Sequence, residues 1–244
     1  MLNILIPMAG RGSRFLNEGY VRPKPLIDVN GIPMIQVVIE NIRPKREHRF
    51  IFVVQKEHIN EYKVDKLLKN LCPTCEIVII DGITEGAACT ALEAKKYIDN
   101  KDQLMIANSD QWINTSIDEY LKMWDINKSE GFIMTMYSSD PKWSYIKFDP
   151  SGILVDIVEK VVVSNHATVG IYNFSRGNIF CKYASQMIQA KNMSKGEYYV
   201  APVYKYMLTN NANIGLYNID RSGSNMYGLG TPEDLEYFLS QSIL

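Results

Sequence analysis

The N-terminal half of the chain alternates short, unbroken apolar runs with segments that repeat at helical spacing, and few folds accept that pattern. Leu2 to Pro7, Phe50 to Val54, Ile77 to Ile80 and Leu104 to Ala107 are apolar without polar alternation. Between them, Ile35, Val38, Ile39 and Ile42 recur at helical intervals, as do Ile117, Tyr120, Leu121 and Trp124 behind Ser116-x-x-Glu119, a capping-box pattern. Residues 58–70 and Gly86 to Ile98 also read as helices. A strand apolar on both faces needs cover on both faces, and helices between successive strands supply it over a parallel sheet. Ligands of such sheets sit beyond the carboxyl ends of the strands. The places to look are therefore just after Pro7, Val54, Ile80 and Ala107.

From residue 131 the pattern changes. Phe132 to Tyr137 reads as a strand, followed by a hairpin turning at Asp149-Pro150-Ser151-Gly152. His166 to Phe174 and Ile214 to Ile219 read as strands, and residues 177–191 and 199–209 as helices. Thr231-Pro232-Glu233-Asp234 opens a last helix, with Thr as N-cap, Pro at the first position and acids in the first turn. There is no repeat, low-complexity tract or linker. The economical reading is one mixed α/β domain over 1–244, in two halves, 1–130 and 131–244.

Composition excludes several functions. With 26 basic and 27 acidic residues, net charge −1, there is no extended basic surface for nucleic acid, and Arg43-Pro44-Lys45-Arg46 reads as a solvated turn. No apolar stretch approaches the roughly 18 residues of a membrane span. The opening residues lack a basic, cleavable leader pattern, so a cytoplasmic location is expected. The four cysteines are few for 244 residues and suggest reduced thiols. Cys72-x-x-Cys75, without a second pair, reads as a turn before a buried strand rather than a metal or redox site.

The chemistry concentrates after the first strand. Met8-Ala9-Gly10-Arg11-Gly12-Ser13-Arg14-Phe15 places two glycines two apart, so backbone can approach a ligand and aim N–H groups at it. Arg11 and Arg14 add positive charge, and a phosphate chain is the natural guest. A dinucleotide fingerprint would need a small residue at Phe15 and an acid near Gln55; a P-loop would need Gly-Lys-Ser/Thr. Neither is present. What is present is Gly10-x-Gly12-x-Arg14 followed by Pro23-Lys24-Pro25-Leu26, where two prolines stiffen the backbone around one ammonium group.

On these motifs, above all residues 7–34, the chain resembles the sugar-phosphate nucleotidyltransferases, or nucleoside-diphosphate-sugar pyrophosphorylases, and is most similar to the short branch of capsule and surface-polysaccharide clusters. The resemblance extends over essentially the whole length. It implies a Rossmann-like, mixed, mostly parallel sheet flanked by helices, related to glycosyltransferase type A, with a nucleotide-binding half (1–130) and a sugar-phosphate-binding half (131–244). It further implies that Met8, Ala9, Gly10, Arg11, Gly12, Ser13 and Arg14 wrap a triphosphate, and that Lys24 bridges the α-phosphate and the incoming phosphate. Asp81, Gly82, Glu85, Gly86, Ala87 and Ala88, with Ser109, match the base and ribose positions. Asp110 matches a Mg²⁺ ligand. Trp143, Ser144, Glu159, Lys160, Thr168, Gly170 and Glu197 match the acceptor pocket.

The expected partners are thus a nucleoside triphosphate, CTP favoured with UTP or dTTP as alternatives, and a sugar or polyol phosphate, with no nucleic acid or membrane. A homo-oligomer is left open. Physical reading agrees for Asp110, a hard-oxygen ligand at a strand end, and for Trp143, whose loop-like neighbours favour a pocket wall. One departure stands out. Many relatives carry a second metal-binding Asp where this chain has Gly228; Asp110 alone, a substitute acid such as Asp220, or weaker metal binding would each answer it. Two rivals remain: a glycosyltransferase of the same fold group, although Asn108-Ser109-Asp110 keeps only the second acid of Asp-x-Asp, and a catalytically silent nucleotide-binding protein.

Overall fold

The structure, a computed structural model, describes residues 1–219 and 225–243. Its strands are β1 (Leu2–Pro7), β2 (Asp28–Val29), β3 (Ile32–Pro33), β4 (His48–Gln55), β5 (Glu76–Ile80), β6 (Gln103–Ala107), β7 (Gln111–Ile113), β8 (Gly131–Tyr137), β9 (Ser144–Phe148), β10 (Leu154–Glu159), β11 (His166–Phe174), β12 (Ile214–Asn218) and β13 (Met226–Gly228). Its helices are α1 (Ser13–Asn17), α2 (Met34–Ile42), α3 (Lys56–Tyr62), α4 (Val64–Leu71), α5 (Ala87–Leu92), α6 (Lys95–Ile98), α7 (Ile117–Asn127), α8 (Gly177–Gln189), α9 (Val203–Leu208) and α10 (Pro232–Ser240). A nine-stranded mixed sheet runs β10-β9-β11-β6-β1-β4-β5, with β8 also on β11 and β12 on β8. The contiguous block β6-β1-β4-β5 is parallel throughout. Antiparallel β11 joins it to the second half. Helices flank this sheet, the α/β architecture that the apolar pattern predicts.

The reason for unbroken apolar runs is visible in β1. Leu2, Ile4 and Ile6 pack on one side with α2 and α7, through Ile35, Ile39, Tyr120 and Trp124. Leu5, one residue out of phase, packs on the other with Ala88 of α5 and Phe180 of α8. Successive side chains of a strand point to opposite faces, so both phases must be apolar. A third cluster gathers Phe15 of α1, Val29, Met34, Val37, Leu229, Leu235 and Phe238. It fastens the C-terminal helix α10 to the loop after β1. Burying a phenyl ring such as Phe15 is worth roughly 1.5–3 kcal/mol, and here that contact ties the two chain ends to one site.

Some expected elements differ. Residues 58–70 form two helices, because Lys63 adopts a left-handed conformation (φ 55°) between α3 and α4. Gly86 to Ile98 likewise divides into α5 and α6. Strand β5 is a sheet edge rather than a buried strand, and Ile79 is 56% exposed. The helical segment expected over 199–209 is confined to Val203–Leu208. The short pairs β2–β3 and β7–β13 carry too few residues for periodicity to reveal them.

Local signals hold well. Glu119 N–H donates to Ser116 Oγ (3.3 Å), and Asp234 N–H donates to Thr231 Oγ1 (3.1 Å). Asp149 Oδ1 accepts from Ser151 and Ile153 N–H, both at 2.9 Å, and sets the β9–β10 turn. In the basic turn Arg46 pairs with Asp125, while Arg43 lies over the Phe50 ring. Cys72 and Cys75 sit in the turn before β5, where burial pushes the Cys75 thiol up to about 11. All four cysteines are free. Among the described residues no helix is long and apolar enough to cross a membrane.

Candidate active site

Two adjoining cavities, of about 650 and 190 Å³, open at the carboxyl ends of the parallel strands. Arg14, Ala87, Asn108, Asp110, Lys160, Tyr199 and Gly230 line both.

The larger cavity is built on the loop after β1. Met8 N–H is the last amide held by the sheet, donating to Val53 O; Phe15 and Leu16 N–H fold back onto Gly12 O. Among the described residues, the amides of residues 9–12 donate to no protein acceptor. From behind, Gln55 Nε2 donates to Ala9 O at 2.6 Å and props the loop. The end of β4 thus contributes a brace rather than a lining residue. Gly12 has φ +62°, which favours glycine, and a side chain there would crowd Lys24 Cβ at 3.1 Å. The loop therefore lies against the segment that carries Lys24. Arg11 and Arg14 are exposed, and neither forms an ion pair among the described residues. Their charge is available to an anionic guest.

The 83–90 segment forms the opposite wall. Gly86 (φ +127°) packs so tightly that a Cβ would lie 2.6 Å from both Tyr198 N and O. Tyr198 N–H donates to Glu85 O (2.8 Å) and Ala88 N–H to Tyr198 O (2.9 Å), a strap joining this segment to residues 197–199. Thr84 and Thr90 hydroxyls share a 2.6 Å hydrogen bond, and each lies 3.1 Å from Gly86 O, which accepts from whichever hydroxyl is not donating to the other.

At the junction, Lys24 Nζ donates to Asp110 Oδ2 at 2.7 Å, both side chains partly buried. The stiff Pro-Lys-Pro segment and the loop after β6 thus meet although 86 residues apart. Asp110 lies against bare backbone: a Cβ on Gly230 would approach Asp110 Oδ2 to 2.6 Å.

The smaller cavity is assembled from β7, β9, β10, β11, β13 and α10. Ser144 hydroxyl donates to Glu159, which is 8% exposed, and burial raises the Glu159 carboxyl above its ordinary range although Ser144 opposes this. Thr168 and Tyr172 hydroxyls share a 2.9 Å hydrogen bond, and burial pushes the Tyr172 phenol up. Lys160 bonds to the Tyr199 hydroxyl and also sits over its ring, 4.3 Å from the centroid. Lys142 Nζ bonds to Asp234 Oδ1 (2.7 Å) and pairs with Asp140 Oδ2 (3.4 Å). Burial alone would lower its pKa, but the two acids outweigh burial and raise it. Lys142 also lies over the Trp143 ring.

Of the residues singled out in the sequence, Met8 to Arg14, Lys24, Glu85, Gly86, Ala87, Ser109 and Asp110 line the larger cavity. Trp143, Ser144, Glu159, Lys160, Thr168 and Gly170 line the smaller one. Glu197, matched to the acceptor pocket, lines the larger cavity instead. Asp81, Gly82 and Ala88 do not line either cavity. Asp81 is exposed and pairs with Lys56 at 3.3 Å, Gly82 makes the turn (φ +83°), and Ala88 is buried behind the wall. Gly228 lines the smaller cavity, and a Cβ on it would sit 3.3 Å from Trp143 and 3.4 Å from Asp234 Oδ2. Asp220 lies outside the described residues. Asn108, Gln111, Lys142, Tyr199 and Asp234 were not foreseen. Only Asn108 and Gln111, flanking the Ser109-Asp110 pair, carried a sequence signal that could have found them.

The fold is that of an α/β protein with two adjoining cavities at the carboxyl edge of its parallel strands. A family profile described as nucleotidyl transferase matches residues 4–235, and the chain belongs to that family. It is 24% identical over 178 residues to bifunctional protein GlmU of Methanocaldococcus jannaschii, covering 72% of this chain and 40% of that protein. It is 27% identical over 176 residues to GlmU of Methanococcus maripaludis, covering 70% and 39%. The chain thus spans about two fifths of the length of these curated relatives. Among solved structures, a nucleoside-diphosphate-sugar pyrophosphorylase from Vibrio cholerae superposes with TM-score 0.81 at 24% identity, covering 98% of this chain and 100% of that one. A UDP-glucose pyrophosphorylase complexed with UDP-glucose gives 0.76 at 16% identity, covering 99% and 98%. These two likenesses establish the fold.

Proposed function

We propose that the chain condenses a nucleoside triphosphate with a sugar or polyol phosphate, giving a nucleoside-diphosphate sugar or polyol and pyrophosphate. The observation that carries this reading is the junction: a loop whose amides and arginines have no protein acceptor among the described residues leads to Lys24 and Asp110, and beyond them lies a second, hydroxyl-lined cavity. A triphosphate fits the first cavity and a phosphorylated acceptor the second. The acceptor's phosphate oxygen attacks the α-phosphorus in line; the new P–O bond forms as the bond to the β-phosphate oxygen breaks, and pyrophosphate leaves with the electron pair. That oxygen is already ionised at neutral pH, so no general base is needed. The remaining obstacle is charge repulsion and alignment. Arg14 and the loop amides hold the departing phosphates. Lys24 turns from Asp110 toward the α-phosphate and the acceptor phosphate.

Mg²⁺ suits the donor set in one respect. It usually takes one or two carboxylates with phosphate oxygens and water, and Asp110 supplies one hard-oxygen carboxylate at the junction. Among the described residues no three potential ligands cluster, so substrate oxygens would complete the shell. When bound, the ion would neutralise phosphate charge. Asp110 would be the residue that holds it, beside the ammonium of Lys24.

CTP is favoured, with UTP and dTTP as alternatives, and a role in capsular or surface polysaccharide synthesis is proposed, both on the resemblance to the capsule-type branch; a cytoplasmic location is proposed with them. Pyrophosphate release should be measured with four triphosphates against a panel of sugar and polyol phosphates, with and without Mg²⁺. At least one pair is expected to turn over, and only with the metal. Triphosphate binding without turnover on any acceptor would favour a silent nucleotide-binding protein, the reading that Gly228 supports.

A further inference from the structure

Strand β11 carries a register break between Thr168 and Tyr172, and Gly170 at that break has φ +81°. A Cβ there would collide with both Asn108 Nδ2 and Gln111 Oε1, so the two amide heads converge on bare backbone. Both residues line the smaller cavity. The Gly170 carbonyl accepts from Asn108 N–H (3.0 Å) and from Gln111 Nε2 (3.4 Å). That contact fixes which way the Gln111 amide faces, since a reversed head would set two oxygens against each other. Gln111 is 1% exposed, and among the described residues its buried Oε1 has no partner. A buried carbonyl oxygen left unpaired is costly, and a cavity wall is where the missing donor can come from a ligand.

We propose that Asn108 and Gln111 form an amide pair that reads a hydroxyl group of the acceptor. A hydroxyl both donates and accepts; it would donate to Gln111 Oε1 and accept from Asn108 Nδ2. The pair selects a hydroxylated acceptor over one that is deoxygenated at that carbon, because the latter leaves Gln111 Oε1 unpaired. Gln111 is a specificity-determining residue that lines only the smaller cavity. The inference rests on the two-cavity reading above and sharpens it by naming what the second cavity recognises.

Thermal-shift titrations of the full chain test it, with CTP, UTP, dTTP, inorganic phosphate, α-D-glucose 1-phosphate, N-acetyl-α-D-glucosamine 1-phosphate and ribitol 5-phosphate. Gln111→Met keeps the length of the side chain and removes the carbonyl. At least one hydroxylated phosphate is expected to raise the melting temperature of the wild type beyond the effect of inorganic phosphate. Its apparent Kd should weaken about tenfold in Gln111→Met, with the triphosphate shifts unchanged. Asn108→Leu, which removes the donor at nearly constant shape and adds no charge, should weaken the same ligand and answers if Gln111→Met does not fold. Equal affinity in wild type and variants overturns the inference. So does a wild type that binds a triphosphate but none of the hydroxylated phosphates. If no triphosphate binds either, the two-cavity reading itself falls.

Discussion

The larger cavity is drawn mostly from contiguous runs, whereas the smaller one is gathered from single residues scattered along the chain. Residues 7–14, 83–87 and 108–110, with Lys24 and Pro25, supply most of the first. The second takes Gln111, Trp143, Glu159, Thr168, Tyr172, Gly228 and Asp234 from β7, the edge of β9, β10, β11, β13 and α10. A phosphate chain is recognised by backbone amides and a few cations, which one loop after one strand can present. A hydroxylated acceptor is recognised by individually placed side chains, which only a packed sheet brings together. The first cavity can therefore be shared by proteins that differ in the second.

Four substitutions would sharpen or break that contrast, and the largest effect belongs to the junction. Lys24→Ala should lower turnover about 10³-fold, the scale of losing one preorganised charge-stabilising donor, while circular dichroism and melting temperature show an intact fold. Near-normal turnover would remove Lys24 from the chemistry. Next comes Gly86→Val, which meets both a positive φ (+127°) and the Tyr198 backbone. It should cost about 2–4 kcal/mol in urea unfolding and abolish the triphosphate thermal shift. Retention of both would mean that the strap to Tyr198 does not shape the first cavity.

A smaller and more selective effect is expected at the acceptor wall. Trp143→Ala should raise the acceptor KM about tenfold, on the scale of losing aromatic contact area, with the triphosphate KM unchanged. If both KM values rise together, the two cavities are not separable in the way described.

The smallest effect concerns Glu159. Burial raises its carboxyl pKa above the ordinary 4.5, so the folded chain holds a proton that the unfolded chain has lost. Between the ordinary and the raised value, stability must then fall as pH rises. Glu159→Gln should flatten that decline when unfolding is followed from pH 4.5 upward. An unchanged slope would show that Glu159 ionises at no cost in the folded protein.

Legibility followed the same division. Gly10, Gly12, Arg14 and Lys24 were readable because a backbone conformation and a stiffened segment are written in adjacent residues. Asp110 was readable from its place after an apolar strand. Asp234 was read correctly as a first-turn acid of α10, since Thr231 caps that helix. That its carboxylate also reaches Lys142, 92 residues away, was not readable. Asp81 and Gly82 match a motif, yet their side of the turn faces solvent and Lys56. Gln111 gave no signal beyond its neighbours, because its meaning comes from a break in β11 that holds Gly170 opposite it.

By itself, the sequence determined the alternation of strand and helix, the caps of α7 and α10, and the conformationally special loop after β1. These depend on interactions within a few residues, where glycine, proline and side-chain caps act directly on the backbone. Only the tertiary structure decided that Lys24 meets Asp110, that Tyr198 closes on Gly86, and that Asn108 and Gln111 face one cavity. Those contacts exist because the buried surface of both sheet faces is satisfied in one arrangement, and that arrangement fixes distances that no local pattern encodes.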